Sequence, residues 1–227
     1  MKAKLVSYSQ PTEEFIADGI KDLQDLAAYC ARVSNPSNQL NTETSEKLIN
    51  YLVKNKHWSP LEMVSVCMEV ETTRDIMRQL LRHRSFTFQE FSQRYADPTT
   101  ELEFVYREAR LQDTKNRQNS IKIDNDDLSK VGVIAIWQQH QRHIINASRV
   151  AYEWAIENGI AKEQARAVLP EGLTMSRAYV NGTLRSWIHY CELRSSNGTQ
   201  LEHIEVAKAC AEAIAKIFPL IKQYTSS

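Results

Sequence analysis

A chain of 227 residues, 42% hydrophobic and 25% charged, is long enough to bury a sizeable core within one elaborate domain. Its 28 Lys and Arg balance 28 Asp and Glu, which argues against a protein that coats nucleic acid but leaves room for a small anion held by local arginines. No run approaches the ~20 apolar residues of a membrane span, and the N-terminal stretch lacks a signal-peptide core, so a cytoplasmic protein with no membrane partner is expected.

The first helical spacing runs from Ile20 to Val33, with Ile20, Leu23, Ala27 and Cys30 apolar, and Ser34-Asn35-Pro36-Ser37-Asn38 breaks it. A second helix spans Thr44 to Lys54, and His57-Trp58-Ser59-Pro60 reads as a turn. Between Met63 and Thr72 the period drops to two: Val64, Val66, Met68 and Val70 alternate with Ser65, Cys67, Glu69 and Glu71, as in a half-buried strand. Thr72 or Thr73 then caps a helix reaching about His83, with Ile76, Met77, Leu80 and Leu81 on one arc and Asp75, Arg78, Gln79 and Arg82 on the other. Residues 102–130 are polar and irregular, a variable insertion. A long helix follows from about Leu128 to Glu157, stopped by Asn158-Gly159. Ala161 to Val168 is a short helix, Met175 to Val180 a strand, and Asn181-Gly182 a turn. Helices over Thr183–Arg194 and Leu201–Phe218 complete the chain, the last stopped by Pro219. The sum is α+β: a helix-rich single domain, residues 1–227, with a small, mainly antiparallel sheet.

None of the six glycines stands in a G-x-G or P-loop pattern, so side chains must hold any phosphate, and arginine suits that task through its planar fork. The segment Arg78-Gln79-Leu80-Leu81-Arg82-His83-Arg84, continued to Arg94-Tyr95, supplies four arginines and a histidine within seventeen positions. Beyond Arg84 the alternation of Phe86 and Phe88 with Ser85, Thr87 and Gln89 predicts an extended chain, which would place Glu90, Ser92 and Arg94 on one face. A carboxylate, a hydroxyl and a guanidinium side by side suit a phosphate and a sugar hydroxyl. The bland reading of the same residues is a solvated basic face with salt bridges.

Arg82-His83-Arg84, then seven residues, then Ser92 resembles the R-H-R-x7-S signature of flavin-dependent thymidylate synthases. Gln79, Glu90 and Arg94 fit the surroundings of that signature. His57-Trp58-Ser59-Pro60-Leu61-Glu62 is similar to the family's H-x-[ST]-P-[FL]-E turn, Ala165-Arg166-Ala167-Val168-Leu169-Pro170 to its A-R-x-V-L-P element, and Leu184-Arg185-Ser186-Trp187-Ile188-His189 to its N-x-R-x-x-x-[HN] helix. Leu193-Arg194 with Gln200 and Glu202 resembles the closing R…Q-x-E. The chain departs from the family at Thr183, where asparagine is usual, at Met63, where many members have histidine, and over Ser195–Gln200.

The resemblance implies methylation of dUMP to dTMP, with 5,10-methylenetetrahydrofolate as carbon donor and FAD reduced by NADPH. It implies a homotetramer with active sites shared between subunits. Carried over, Ser59, Arg82, His83, Arg84, Glu90, Thr183, Arg185 and His189 would contact FAD. Gln79, Arg82, Glu90, Ser92, Arg94, Arg166 and Arg194 would bind dUMP, with Arg166 from a neighbouring subunit. Arg194 would be the catalytic cation, stabilising negative charge on the pyrimidine, and His57 would border the active site.

Rival readings attach to several residues. Ser92 has no base or orienting carboxylate in view, so phosphate binding is preferred to nucleophilic attack. Cys191 lies on an apolar arc, and Cys30, Cys67, Cys191 and Cys210 read as reduced, mostly buried thiols. His140 and His143 have the i, i+3 spacing of a metal pair but no acidic or cysteine partner at ligand spacing, so no metal is expected. Trp137, Trp154 and Trp187 are assigned to the core first. The alternative for the whole chain is a non-enzymatic RNA- or nucleotide-binding module built on the arginine cluster, and a third reading is a helical scaffold with incidental arginines.

Overall fold

The computed structural model describes residues 1–124 and 126–225. Asn125, inside the expected insertion, and Ser226 and Ser227, at the end of the expected domain, lie outside the described residues. In chain order the elements are β1 (Lys2–Tyr8), α1 (Glu13–Ala17), α2 (Leu23–Ala31), α3 (Ser45–Lys54), β2 (Ser65–Thr73), α4 (Arg74–Leu80), β3 (Thr87–Glu90) and α5 (Pro98–Glu101). They continue with β4 (Arg110–Gln112), β5 (Ser120–Lys122), α6 (Val131–Glu157), α7 (Lys162–Ala165), β6 (Met175–Thr183), α8 (Leu184–Arg194) and α9 (Leu201–Ile214).

The main sheet has the order β1-β2-β6-β3, and every neighbouring pair is antiparallel. Its helical cover follows from the period-two pattern of β2. Val66, Met68 and Val70 are fully buried, while Cys67, Glu69 and Glu71 between them face a more open side. Each of those aliphatic side chains contributes about 1.5–3 kcal/mol by leaving water. They pack with Leu23, Ile49, Trp187, Val206, Ile214 and Phe218 into one core that joins α2, α3, α8 and α9 to the sheet. A second, much smaller cluster holds Tyr152, Ala155, Ala165 and Leu169 between α6 and the segment that follows it. Among the described residues no helix is long and apolar enough to cross a membrane.

Several expected elements differ from those observed. The strand β1 and the short helix α1 were not apparent, and the first expected helix begins at Leu23, where Asp22 caps it by accepting from the Asp25 N–H at 2.8 Å. Asn181-Gly182 is not a turn. Both residues continue β6 and pair with Cys67 and Val66. Glycine stands there because the Phe86 ring lies where a Cβ would be: a Cβ at Gly182 would meet Phe86 Cδ1 at 2.2 Å. The expected insertion contains the hairpin β4–β5, and Phe104 bridges to Thr174 beside the main sheet. The helix after β2 ends at Leu80, and the last helix at Ile214. Trp187 is buried as expected, whereas Trp137 and Trp154, assigned to the core from spacing alone, are 41% and 59% exposed on α6.

Candidate active site

The arginine segment leaves the sheet at a junction. β2 delivers the chain to α4, whose buried Ile76, Met77 and Leu80 fix the helix and leave Arg78 and Gln79 away from the core. Thr73 provides the N-cap backbone, and its hydroxyl binds Asp75 in the first turn at 2.5 Å. Beyond Leu80 the backbone turns twice, with the His83 N–H donating to Leu80 O and the Phe86 N–H to His83 O. Arg82 and Arg84 are thereby placed on the surface, with half-buried His83 pointing inward between them.

His83 sits among aromatic rings, 5.1 Å from Tyr190 and 6.3 Å from Phe86. Its Nε2 accepts a hydrogen bond from Arg194 Nε at 2.9 Å, which leaves the proton on Nδ1. Burial first, and the neighbouring Arg194 second, push His83 down to about 4, so it is a neutral acceptor at physiological pH. This bond orients Arg194 and leaves the outer edge of its guanidinium available.

Gln79 belongs to the same cluster. Its Oε1 faces His203 Nδ1 at 3.2 Å, and its Nε2 donates to Gln200 Oε1 at 2.9 Å. Gln200 Nε2 donates to Glu202 Oε2 at 3.0 Å. Glu202 is buried, and it is held by Arg110 and by Arg107 Nη1 at 3.2 Å. Burial would raise its pKa, but its backbone hydrogen bond, Arg107, Arg110 and Gln200 outweigh that and keep it low. Arg107 also binds Asp75 at 2.7 Å and the Gly172 carbonyl at 2.9 Å. Residues 102–130 therefore supply two arginines, Arg107 and Arg110, that brace the site.

A second group forms around α8. Thr183 caps this helix, its hydroxyl accepting from the Ser186 N–H at 3.4 Å. Arg185 pairs with Glu62 of the Ser59–Glu62 turn. His189 packs on Trp58 with 4.4 Å between ring centroids, and burial lowers its pKa. Ser59, Arg185 and His189 are thus brought together, while His57 is exposed and touches Tyr51 edge-on at 6.1 Å.

The expected alignment of Glu90, Ser92 and Arg94 on one strand face is corrected. β3 ends at Glu90 once the Phe91 N–H has bonded Arg177 O. Ser92 then opens a turn: its carbonyl accepts from the Tyr95 and Ala96 N–H groups, and its Oγ from the Arg94 N–H at 3.4 Å. The Glu90 carboxylate instead accepts from the Ser176 hydroxyl at 2.9 Å and lies 3.8 Å from Arg74. Arg94 pairs with Glu163 at 3.3 Å, and the Glu163 carbonyl accepts from Arg166 Nε at 3.3 Å. The Arg94 and Arg166 segments, far apart in sequence, therefore meet within one chain, so their separation is no argument for a shared site.

Among the described residues, neither Arg82, Arg84, Arg166 nor Arg194 makes an ion pair, in contrast to Arg74, Arg78, Arg107, Arg110 and Arg185. Arg194 bonds the neutral His83 that Arg82 and Arg84 flank in the chain, and Arg166 lies beside Glu163; guanidinium groups without a carboxylate partner favour a ligand with several negative charges. Two rival chemistries lose ground. Cys191 is fully buried, and burial pushes its thiol up to about 12, so it offers no thiolate. Ser92 bonds the backbone of its own turn. Sequence reasoning missed Arg74, Arg107, Arg110, Ser176, Tyr190 and His203. For His203 a signal was present, because a histidine three and four residues before Val206 and Ala207 stands on the apolar stripe of its helix.

Comparison with known proteins adds four findings. Residues 16–220 match the family model described as thymidylate synthase complementing protein. The chain is 46% identical over 222 residues to a probable flavin-dependent thymidylate synthase of Paramecium bursaria Chlorella virus 1, covering 97% of each. It is 44% identical over 222 residues to the flavin-dependent thymidylate synthase of Synechocystis sp., again covering 97% of each. Among solved structures, a UMP/dUMP methylase, PolB, from Streptomyces cacaoi bound with 5-Br dUMP superposes with a TM-score of 0.76 at 25% identity, covering 98% of this chain and 93% of that one.

Proposed function

The chain belongs to the flavin-dependent thymidylate synthase family, and from that premise and the site geometry we propose that it reductively methylates dUMP to dTMP, with 5,10-methylenetetrahydrofolate as carbon donor and FAD reduced by NADPH. The observation that carries this reading is the set of cations that make no ion pair among the described residues: Arg194 bonded to neutral His83, Arg82 and Arg84 on either side of it in the chain, and Arg166 apart from them beside Glu163. A nucleotide phosphate and a dinucleotide diphosphate are the multiply charged ligands such a set accommodates.

The donor set fits FAD. Arg82 and Arg84 are exposed and free to meet its diphosphate, while Ser59, Arg185 and His189 cluster on the α8 side with Thr183 at the helix start, and Glu90 would reach it from beside Ser176 and Arg74. FAD, when bound, supplies the reducing equivalents for the transfer. The chain's own residues bind and polarise dUMP. Gln79, Arg82, Glu90 and Arg194 reach it from the α4 side. Ser92, Arg94 and Arg166 reach its phosphate from the turn and α7. Arg194, oriented by His83, stabilises the negative charge that grows on the pyrimidine as its C5 attacks the one-carbon unit. A fixed cation in a partly dry site is effective at this because it needs no reorganisation.

The assembly belongs to the same proposal. α6 and its surroundings expose Val133, Ile136, Val150, Trp154, Ile160 and Val168. A groove of about 850 Å³ there is lined by Val150, Trp154, Ile160 and Ala165, beside Arg166. A second copy covering this face, within a homotetramer, would set its own residues at the border of Arg166. The four cysteines are free thiols, and work in a reducing compartment such as the cytoplasm is part of the same proposal.

The test is direct. The protein purified with excess FAD should be yellow and should convert dUMP to dTMP when given methylenetetrahydrofolate and NADPH. A colourless protein that makes no dTMP would favour the rival nucleotide- or RNA-binding module, which the neutral net charge already disfavours.

A further inference from the structure

His203 has no part in the chemistry described so far, yet it is fully buried on a helix face otherwise made of Val206, Ala207, Cys210 and Ile214. An imidazole in such a place costs stability unless both nitrogens are bonded. Both are: Nδ1 lies 3.2 Å from Gln79 Oε1, and Nε2 lies 3.2 Å from the Tyr190 hydroxyl.

The direction of every bond in this chain follows from one group. Glu202 is an acceptor only, kept ionised between Arg107 and Arg110. It therefore draws the Nε2 end of Gln200, at 3.0 Å. Gln200 must then present Oε1 to Gln79, which answers with Nε2 at 2.9 Å. The Oε1 of Gln79 is left facing His203, so Nδ1 of His203 carries the proton and its Nε2 accepts from Tyr190. Turning any one amide over would set donor against donor or acceptor against acceptor.

We propose that His203 is a positioning residue for the nucleotide site, holding the Gln79 amide in one orientation from the core side while Gln200 and Glu202 hold it from the other. The inference rests on the reading that Gln79 contacts dUMP. With one Nε2 hydrogen on Gln200 and one Oε1 lone pair on His203, Gln79 keeps one donor and one acceptor, in fixed order, for the nucleotide. A dipole locked before binding does not have to be ordered at the moment of binding. Imidazolium formation would destroy the arrangement, because Nε2 would lose its acceptor role toward Tyr190. Burial, aided by Arg194 and His83, holds His203 down to about 3 and prevents this.

The experiment measures dUMP affinity on the FAD-loaded protein by calorimetry, together with FAD affinity. His203→Asn places an amide N–H near the position of Nδ1 and should keep dUMP binding close to the unaltered value. His203→Gln, whose amide lies nearer the position of Nε2, and His203→Phe should each weaken dUMP binding about tenfold, as loss of one buried hydrogen bond does, with FAD affinity unchanged. In a Gln79→Ala background the same His203 substitutions should add nothing further. Equal weakening by Asn, Gln and Phe, or full additivity with Gln79→Ala, overturns the positioning role. If Gln79→Ala itself leaves dUMP affinity intact, the assignment of Gln79 to the nucleotide fails, and the inference with it. Should His203→Phe not fold, the contrast between Asn and Gln decides alone.

Discussion

α6 and α9 use their lengths in opposite ways. α9 has 14 residues and buries eight of them, Glu202 and His203 among them. α6 has 27 residues and buries five: Gln141, Ile145, Ser148, Tyr152 and Ala155. Both carry an apolar stripe, but α9 buries its stripe against the sheet and α8, whereas α6 covers only part of its own, with Tyr152 and Ala155 against Ala165 and Leu169. The difference teaches that an amphipathic pattern reports a covered face without saying what covers it. The α9 side is finished within one chain, and its polar groups are matched to one another. The α6 side is unfinished, with Trp154 59% and Val150 65% exposed.

The sharpest way to break this comparison is to open a cavity under α9. Ile214→Ala removes a fully buried side chain of the main core and should cost about 2–5 kcal/mol in denaturant unfolding. A loss below about 1 kcal/mol would mean that this helix is not the closed half of the molecule.

Next in size is the division of labour between Arg194, held by His83 on the α9 side, and Arg166, which borders the α6 groove. Arg194→Ala should lower the single-turnover rate ~100-fold or more while leaving much of the dUMP affinity. Arg194→Lys, which keeps the charge but loses the planar fork, should remain partly impaired. Arg166→Ala should act mainly on dUMP affinity. Wild-type turnover by Arg194→Ala at saturating dUMP would reduce that residue to a binding role.

A third measurement probes the dryness of the α9 side through pH. His83 and His203 are held near 4 and 3, against 6.5 for an ordinary histidine. Between pH 6.5 and 4 the unfolded chain takes up protons that the folded chain refuses, so this contribution to stability is complete above about pH 6.5 and lost as pH falls below it. Unfolding midpoints across that range should show the loss, and His203→Asn should make the slope shallower. An unchanged slope would show that His203 titrates normally in the folded protein.

The smallest expected effect on the fold lies on α6. Val150→Ser should change the stability of the single chain by no more than about 0.5 kcal/mol, yet weaken self-association in equilibrium sedimentation. Association as strong as before would mean that another surface joins the copies.

The same contrast explains what could be read in the sequence. β2 and α8 were legible because local periodicity and their partners agree: Val66, Met68 and Val70 alternate, and Leu184, Trp187, Ile188 and Cys191 share an arc. The tryptophans of α6 misled because spacing cannot tell a core from an exposed apolar face. The order of Glu90, Ser92 and Arg94 misled because the strand's end is set by pairing with Arg177 on β6, which is a long-range contact. Arg107 and Arg110 were hidden for a similar reason. Their worth lies in reaching Glu202, more than 90 positions away, and nothing in residues 102–130 marks it.

One small feature reaches further than its size suggests. Gly182 offers no chemistry and lies one residue from the end of β6, paired with Val66. The Phe86 ring that fills its missing side chain is itself wedged, 4.6 Å from Trp187, 6.1 Å from Phe88 and 6.3 Å from His83, so it has nowhere to swing. Adding a single methyl group at position 182 would therefore push on the loop that carries Arg82, His83 and Arg84. A variant library screened for flavin retention should find this position almost as intolerant as the arginines themselves, although it touches no ligand. To anyone reshaping this pocket, the empty volume at Gly182 is the fixed point from which the loop is measured.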